Sequence, residues 1–200
     1  MSLFDEKDLP SIYQEGEIEV LYFSSFYSLD EADRFFHIIN SETEWNRETL
    51  VMFGKEILVP RDTCWYGEKT YTYSGIRNAP KALTPTLLSI KEDVEEKTNE
   101  TYNSLLINRY ISGNDSVDWH ADDEPELCLE TGIASLTLGE ERDFLMRKKG
   151  TKGDNKKILL ENGSLLQMKA PTQQYWEHSI PKRSSIKNPR INLTFRNVLG

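Results

Sequence analysis

The chain has 200 residues, enough for one domain with a sizeable core, and its 38% hydrophobic content suffices to form that core. No run is apolar enough to span a bilayer, and the opening Met1–Asp8 segment lacks the basic and apolar regions of a signal peptide. The formal net charge of −9 argues against a uniformly basic polyanion binder, and Cys64 and Cys128, without CxxC spacing, argue for reduced thiols over a disulfide framework.

Along the chain, an opening strand is expected near Ile18–Phe23, followed by a helix over about Asp30–Ile39 that starts at the capping box Ser28-Leu29-Asp30-Glu31. His37 on this helix reads as a residue at the edge of a core. Thr84-Pro85 opens a second helix, with proline in its first turn and the charged residues from Lys91 to Glu100 on the outside. Short strands then dominate. Asn103–Ile111, Ile133–Leu138, Asp143–Arg147, Lys157–Leu160, Ser164–Met168 and Arg190–Asn197 are separated by Gly- and Asn-bearing turns, as in an all-β sandwich or barrel. No repeat, low-complexity tract or linker divides the chain.

Charge is unevenly spread. Residues 1–60 hold four Lys/Arg against thirteen Asp/Glu, whereas residues 147–190 hold eleven against three. Screening limits phosphate attraction to about 8–10 Å, so an acidic far side does not veto a basic face. The run from Arg147 to Lys157 fits such a face and equally fits a solvated hairpin loop.

Two patterns carry chemistry. His120 and Asp122 stand two apart, and on a strand such residues share a face, so they can grip one metal ion while a distant strand supplies His178. Two histidines and a carboxylate form the ligand set of non-haem Fe(II) oxygenases, although a His-x-Asp triplet alone is an ordinary surface motif. The second pattern is Arg190-Ile191-Asn192-Leu193-Thr194-Phe195-Arg196, which alternates strictly. It fits a half-buried strand with a wet polar face, and it also fits a cradle for a dicarboxylate, because guanidinium binds carboxylate bidentately and keeps its charge when desolvated. Asn108 and Tyr110 repeat the device just upstream.

Together with Ile133–Gly139, Gly163-Ser164-Leu165-Leu166 and His178-Ser179-Ile180-Pro181, these segments occur in the order found in the AlkB family of Fe(II)- and 2-oxoglutarate-dependent nucleic-acid dealkylases, which the chain resembles from about Phe53 to Val198. Val59-Pro60-Arg61, Trp65-Tyr66-Gly67 and Tyr71-Thr72-Tyr73-Ser74-Gly75 look closest to the DNA-repair branch of eukaryotic-type homologues. The resemblance implies a mainly β (α+β) fold: a double-stranded β-helix (jelly-roll) core with flanking helices and an N-terminal nucleotide-recognition lid. It further implies one dioxygenase domain over residues 1–200, with the extension and lid in about 1–100 and the catalytic core in about 101–200.

By the same resemblance, His120, Asp122 and His178 are catalytic and bind Fe(II), with dioxygen as co-oxidant. The cosubstrate 2-oxoglutarate meets Arg190 at its far carboxylate and Arg196 at its metal-proximal one, with Asn108, Tyr110 and Thr194 supplying hydrogen bonds. Tyr71 and Asp123 match positions at the substrate edge, and Tyr73 stacks on a flipped base opposite His120. Phe53, with Gly54 and Lys55, resembles an apolar finger that fills the gap left by that base, although Phe53 also suits a buried strand. The implied activity is repair of 1-methyladenine and 3-methylcytosine in single- or double-stranded DNA, releasing formaldehyde and succinate. An RNA demethylase of the same chemistry and an inactive nucleic-acid-binding homologue are the alternatives. A monomer in the cytoplasm or nucleus, with no membrane partner, is expected. The basic run of duplex specialists is only partly kept, since Ser184-Ser185 follows Lys182-Arg183.

Overall fold

Period-two alternation decides the layers. In β8 (Ser104–Tyr110), β10 (Ile133–Gly139) and β15 (Arg190–Arg196), one set of side chains, including Ile107, Leu136, Leu138, Leu193 and Phe195, joins a single apolar cluster. The intervening residues point to the opposite face of the sheet. The computed structural model describes residues 10–16, 18–47, 49–52, 55–67, 71–73, 76–78 and 81–199, with the backbone alone for 50–52, 55–57, 71–73 and 76–78.

Among the described residues, the strands form two larger antiparallel sheets. One has seven strands in the order β1 (Ser11–Glu15), β2 (Ile18–Phe23), β13 (Leu165–Met168), β10, β15, β8 and β5 (Asp62–Gly67). The other has four, β12 (Lys156–Leu160), β11 (Arg142–Lys148), β14 (Trp176–Ile180) and β9 (Val117–His120). They face one another. Ile18, Leu166 and Met168 of the large sheet share a buried cluster with Phe144, Met146, Trp176 and Ile180 of the small one, which makes the jelly-roll sandwich. Two hairpins form separate ladders, β3 (Thr49–Met52) with β4 (Lys55–Leu58) and β6 (Tyr71–Tyr73) with β7 (Ile76–Asn78).

The outer face of the large sheet is closed by α1 (Leu29–Glu42) and α2 (Pro85–Thr98), whose Ala32, Ile39, Leu87, Ile90 and Val94 enter the same cluster as β15. Both helix starts follow local chemistry. Ser28 Oγ accepts from the Glu31 N–H while the Glu31 carboxylate takes the Ser28 N–H at 3.0 Å, and Thr84 caps α2 with Pro85 following. Ser28→Ala is expected to cost about 1 kcal/mol, read as a lowered urea midpoint with unchanged slope. No helix among the described residues is long and apolar enough to cross a membrane.

Several sequence expectations need correction. The charges of α2 are not all outside: the half-buried Asp93 accepts from Tyr27 Oη at 2.6 Å, Glu95 from the Tyr102 N–H at 2.6 Å, and Glu100 beyond the helix from the Gly132 N–H at 2.6 Å. Each carboxylate satisfies a donor that packing has removed from water. His37 is exposed rather than at a core edge, its ring set against Phe36. The large sheet also draws β1, β2 and β5 from the first hundred residues.

The basic Lys182-Arg183 segment is held close to the rest of the fold. The Arg183 N–H donates to Gly113 O at 2.6 Å and the Gly113 N–H to Ile186 O at 3.0 Å. A Cβ at Gly113 would collide with the Arg183 carbonyl, so glycine is required for this approach.

Candidate metal centre and cosubstrate cleft

Antiparallel pairing of β9 with β14 sets His178 directly opposite His120, with the ring centroids 4.3 Å apart. His120 Nδ1 lies 2.8 Å from the Asp118 carbonyl, to which it donates, and this leaves the Nε2 lone pair to point inward. His178 is buried and stacks on Phe144, centroids 5.1 Å apart. Burial, and after it the neighbouring His120, pushes the His178 pKa down to about 3, so this imidazole is neutral at physiological pH and able to ligate.

Asp122 arrives differently from the expectation. β9 ends at His120, so Asp122 lies in the bend beyond it, and the shared-face argument for the pair does not apply. Tertiary bonds place the carboxylate instead. Arg196 donates to Oδ2 through Nε at 3.1 Å and Nη2 at 2.7 Å, and the Asp122 N–H donates to Gln173 Oε1 at 3.0 Å. Burial would raise the pKa of this carboxyl, but Arg196, then His120 and His178, outweigh burial and hold it down at about 2.

Asp122 Oδ1 is buried and has no hydrogen-bond partner; it sits 3.8 Å from His120 Nε2. One ligand atom from each of His120, Asp122 and His178 lies within 4.8 Å of the others. Transition-metal bonds of about 2.0–2.2 Å span ligand atoms up to about 4.3 Å apart, so a single ion needs only a slight closure of the three groups. The donor set, two imidazole nitrogens and one carboxylate oxygen, suits Fe(II).

The same three residues line a cleft between the sheets, together with Arg61, Asn108, Tyr110, Arg190, Thr194 and Arg196 among others. Register explains the convergence, since Arg190 pairs with Tyr110 and Asn192 with Asn108 across β15 and β8. Every residue of β15 is buried, so its polar face looks into the protein and not into water. Arg190 is 1% exposed. Its guanidinium lies 5.2 Å from the Tyr110 ring centre and donates to Thr137 Oγ1 at 2.9 Å, while Nε and Nη1 are buried with no hydrogen-bond partner. Burial pushes its pKa down to about 10, still well above neutrality. Asn108 Oδ1 accepts from Arg61 Nε at 2.8 Å, and Thr194 Oγ1 donates to Asn192 Oδ1 at 3.0 Å.

Asp123, next in sequence to Asp122, is exposed, with Oδ2 2.6 Å from Lys149 Nζ. Tyr71 lies in β6 opposite Asn78 and Tyr73 opposite Ile76, and Lys55 lies in β4; their side chains, with Phe53 and Gly54 entirely, fall outside the described residues. The sequence reading did not single out Thr137 and Gln173, and it placed Asn192 only on the polar face of the proposed cradle strand. Ser135 and Thr137 alternate with the apolar residues of β10, the same signal that marked β15; Gln173, in the short α3 (Thr172–Tyr175), carries no such signal.

The family model for the 2OG-Fe(II) oxygenase superfamily matches residues 19–196. Alpha-ketoglutarate-dependent dioxygenase alkB homolog 3 of Bos taurus is 42% identical over 94% of this chain and 69% of its own length. DNA oxidative demethylase ALKBH2 of Homo sapiens is 40% identical over 84% of this chain and 69% of its own length. The solved structure of OsALKBH1 superposes with a TM-score of 0.64 at 15% identity, covering 94% of this chain and 100% of that one, a likeness of fold. Sequence, fold and site together define a 2-oxoglutarate- and Fe(II)-dependent dioxygenase. Within that class, the chain belongs to the AlkB family.

Proposed function

We propose that this chain is an oxidative demethylase that removes N-methyl groups from 1-methyladenine and 3-methylcytosine in DNA. One observation carries the reading. A single cleft is lined both by a buried carboxylate oxygen without a partner beside two imidazoles and by a buried guanidinium with two nitrogens without partners. The first calls for a cation and the second for a carboxylate, and a metal-chelating oxo-dicarboxylate meets both demands. The names of the relatives, dioxygenase and DNA oxidative demethylase, supply the substrate class.

In this reading His120, Asp122 and His178 hold Fe(II), with Asp118 and Arg196 fixing the orientation of two of them. Arg190 takes the far carboxylate of 2-oxoglutarate, Arg196 lies by the metal-proximal one, and Asn108, Tyr110 and Thr194 line the path between. With Fe(II), the cosubstrate and dioxygen bound, the centre supplies oxidation of the N-methyl group, which leaves as formaldehyde while 2-oxoglutarate becomes succinate and carbon dioxide. The cleft walls orient the reactants and exclude water. At the substrate edge, Tyr73 and His120 sandwich the flipped base, Tyr71 borders it, and Asp123 favours a cationic one.

The direct test is anaerobic loading with Fe(II) and 2-oxoglutarate, then air, with mass spectrometry of methylated DNA and RNA oligonucleotides. Loss of 14 mass units, about one CH2, from the DNA strand supports the reading. Loss from RNA alone transfers it to RNA, and turnover of neither leaves a nucleic-acid-binding homologue. Phe53, as a wedge carried with Gly54 and Lys55, matters when a base leaves a paired stack. Phe53→Ala should therefore slow repair in duplex DNA several-fold more than repair of the same lesion in a single strand; equal losses would return Phe53 to the core.

A further inference from the structure

A partly exposed ion pair joins residues 26 apart in sequence. Lys149 Nζ meets Asp123 Oδ2 at 2.6 Å, one residue beyond Asp122. The main chain of Lys149 is fixed, because its N–H donates to Tyr175 O at 2.8 Å and so extends the pairing of β11 with β14. The neighbouring Arg147 is committed elsewhere: it donates to Glu177 at 2.6 Å and lies 3.8 Å from the Trp119 ring centre. Lys149 and Asp123 are 31% and 46% exposed at their side chains, so solvent screens their attraction and another cation can take the place of the ammonium.

We propose that Lys149 is a specificity-determining residue: it occupies the Asp123 carboxylate as an internal cation, and a damaged base reaches that carboxylate by displacing it. The proposal rests on the reading of Asp123 as the charge-sensing group. A cationic base replaces Lys149 charge for charge. A neutral base gains nothing by breaking the pair and binds beside it intact. Lys149 therefore weakens the preference for cationic lesions that a bare Asp123 would impose, and it widens the substrate range toward neutral methylated bases.

The test compares 3-methylcytosine, a cation, with 3-methylthymine, a neutral base methylated at the same ring position, in one single-stranded oligonucleotide context. Both kcat/KM and Kd, the latter by fluorescence anisotropy, are measured for the wild type, Lys149→Met, Lys149→Arg, Asp123→Asn and the Lys149→Met/Asp123→Asn double variant. A screened charge pair at contact distance corresponds to about fivefold in a binding ratio. Lys149→Met should raise the preference for 3-methylcytosine by that factor, Lys149→Arg should keep the wild-type ratio, and Lys149→Met should add nothing once Asp123 is Asn. Equal loss on both substrates would make Lys149 a phosphate contact and overturn the proposal, as would the same shift with and without Asp123. If Asp123→Asn changes the ratio and Lys149→Met does not, the Lys149 proposal alone falls. If the double variant keeps the same ratio as Lys149→Met, Asp123 does not sense charge even when bare, and the charge-sensing reading falls and takes this proposal with it. Should neither oligonucleotide be turned over, the demethylase reading fails while the Kd ratios still decide the role of Lys149.

Discussion

Asp122→Ala is expected to abolish turnover and to lower the stability of the metal-free protein by about 3–5 kcal/mol, the cost of removing one partner from a buried ion pair. Asp122 is 1% exposed and takes two donors of Arg196 on one oxygen, so its loss strips a buried guanidinium of this carboxylate as well as removing a candidate ligand. His120→Ala should abolish turnover equally with little loss of stability, because that side chain is 24% exposed and its ring N–H donates to a carbonyl of its own strand. Urea denaturation in EDTA separates the two effects, and calorimetric titration with Mn(II) should show binding lost in both variants and in His178→Ala. Full turnover by any of the three would remove the metal assignment; equal destabilisation by Asp122→Ala and His120→Ala would remove the argument from the Arg196 bridge. The sign with pH follows from the depressed carboxyl. Its folded pKa of about 2 lies below the ordinary value of 3.8, so the bridge stabilises fully above that ordinary value and fades as pH falls through about 2.

The contrast between these two residues shows what the sequence could reveal. His-x-Asp was legible as a pair of potential ligands, but the geometry that unites them was not, because the strand stops at His120 and Asp122 is placed by Arg196, 74 residues away. Local signals were read well where local chemistry sets the structure, as at the Ser28 and Thr84 caps. The alternation of β15 was legible too, yet period two identifies two faces without saying which is wet. Here both are buried, one under the helices and one under the small sheet, and that depends on how distant strands stack. β5 escaped because Asp62–Gly67 is buried almost throughout and shows no alternation. The same tertiary dependence hid the inward carboxylates of α2, whose partners come from other elements.

Arg190→Met is expected to reduce affinity for 2-oxoglutarate by at least about 30-fold while leaving the ligand-free protein as stable as before or more so. The two effects have one cause. Arg190 is a buried guanidinium whose charge meets a threonine hydroxyl and an aromatic ring in the folded chain, with Nε and Nη1 left without hydrogen bonds. Such a group costs stability until a carboxylate arrives, and replacing buried charges by apolar groups of similar volume is often neutral or stabilising. Truncating one member of a buried charge pair at a binding site costs about 2–5 kcal/mol, which sets the lower bound on the loss of affinity. The selectivity of the loss identifies the contact. Affinity for 2-oxobutyrate, which keeps the metal-chelating end and lacks the far carboxylate, should differ by less than about twofold between wild type and variant, since Arg190 has nothing to pair with in that ligand. Anaerobic calorimetry with Mn(II) in place of Fe(II) gives both affinities, and thermal denaturation without ligand gives the stability. Unchanged 2-oxoglutarate affinity would exclude Arg190 as the carboxylate partner. Equal losses for both oxo acids would place its role at the metal end or in the packing of the cleft.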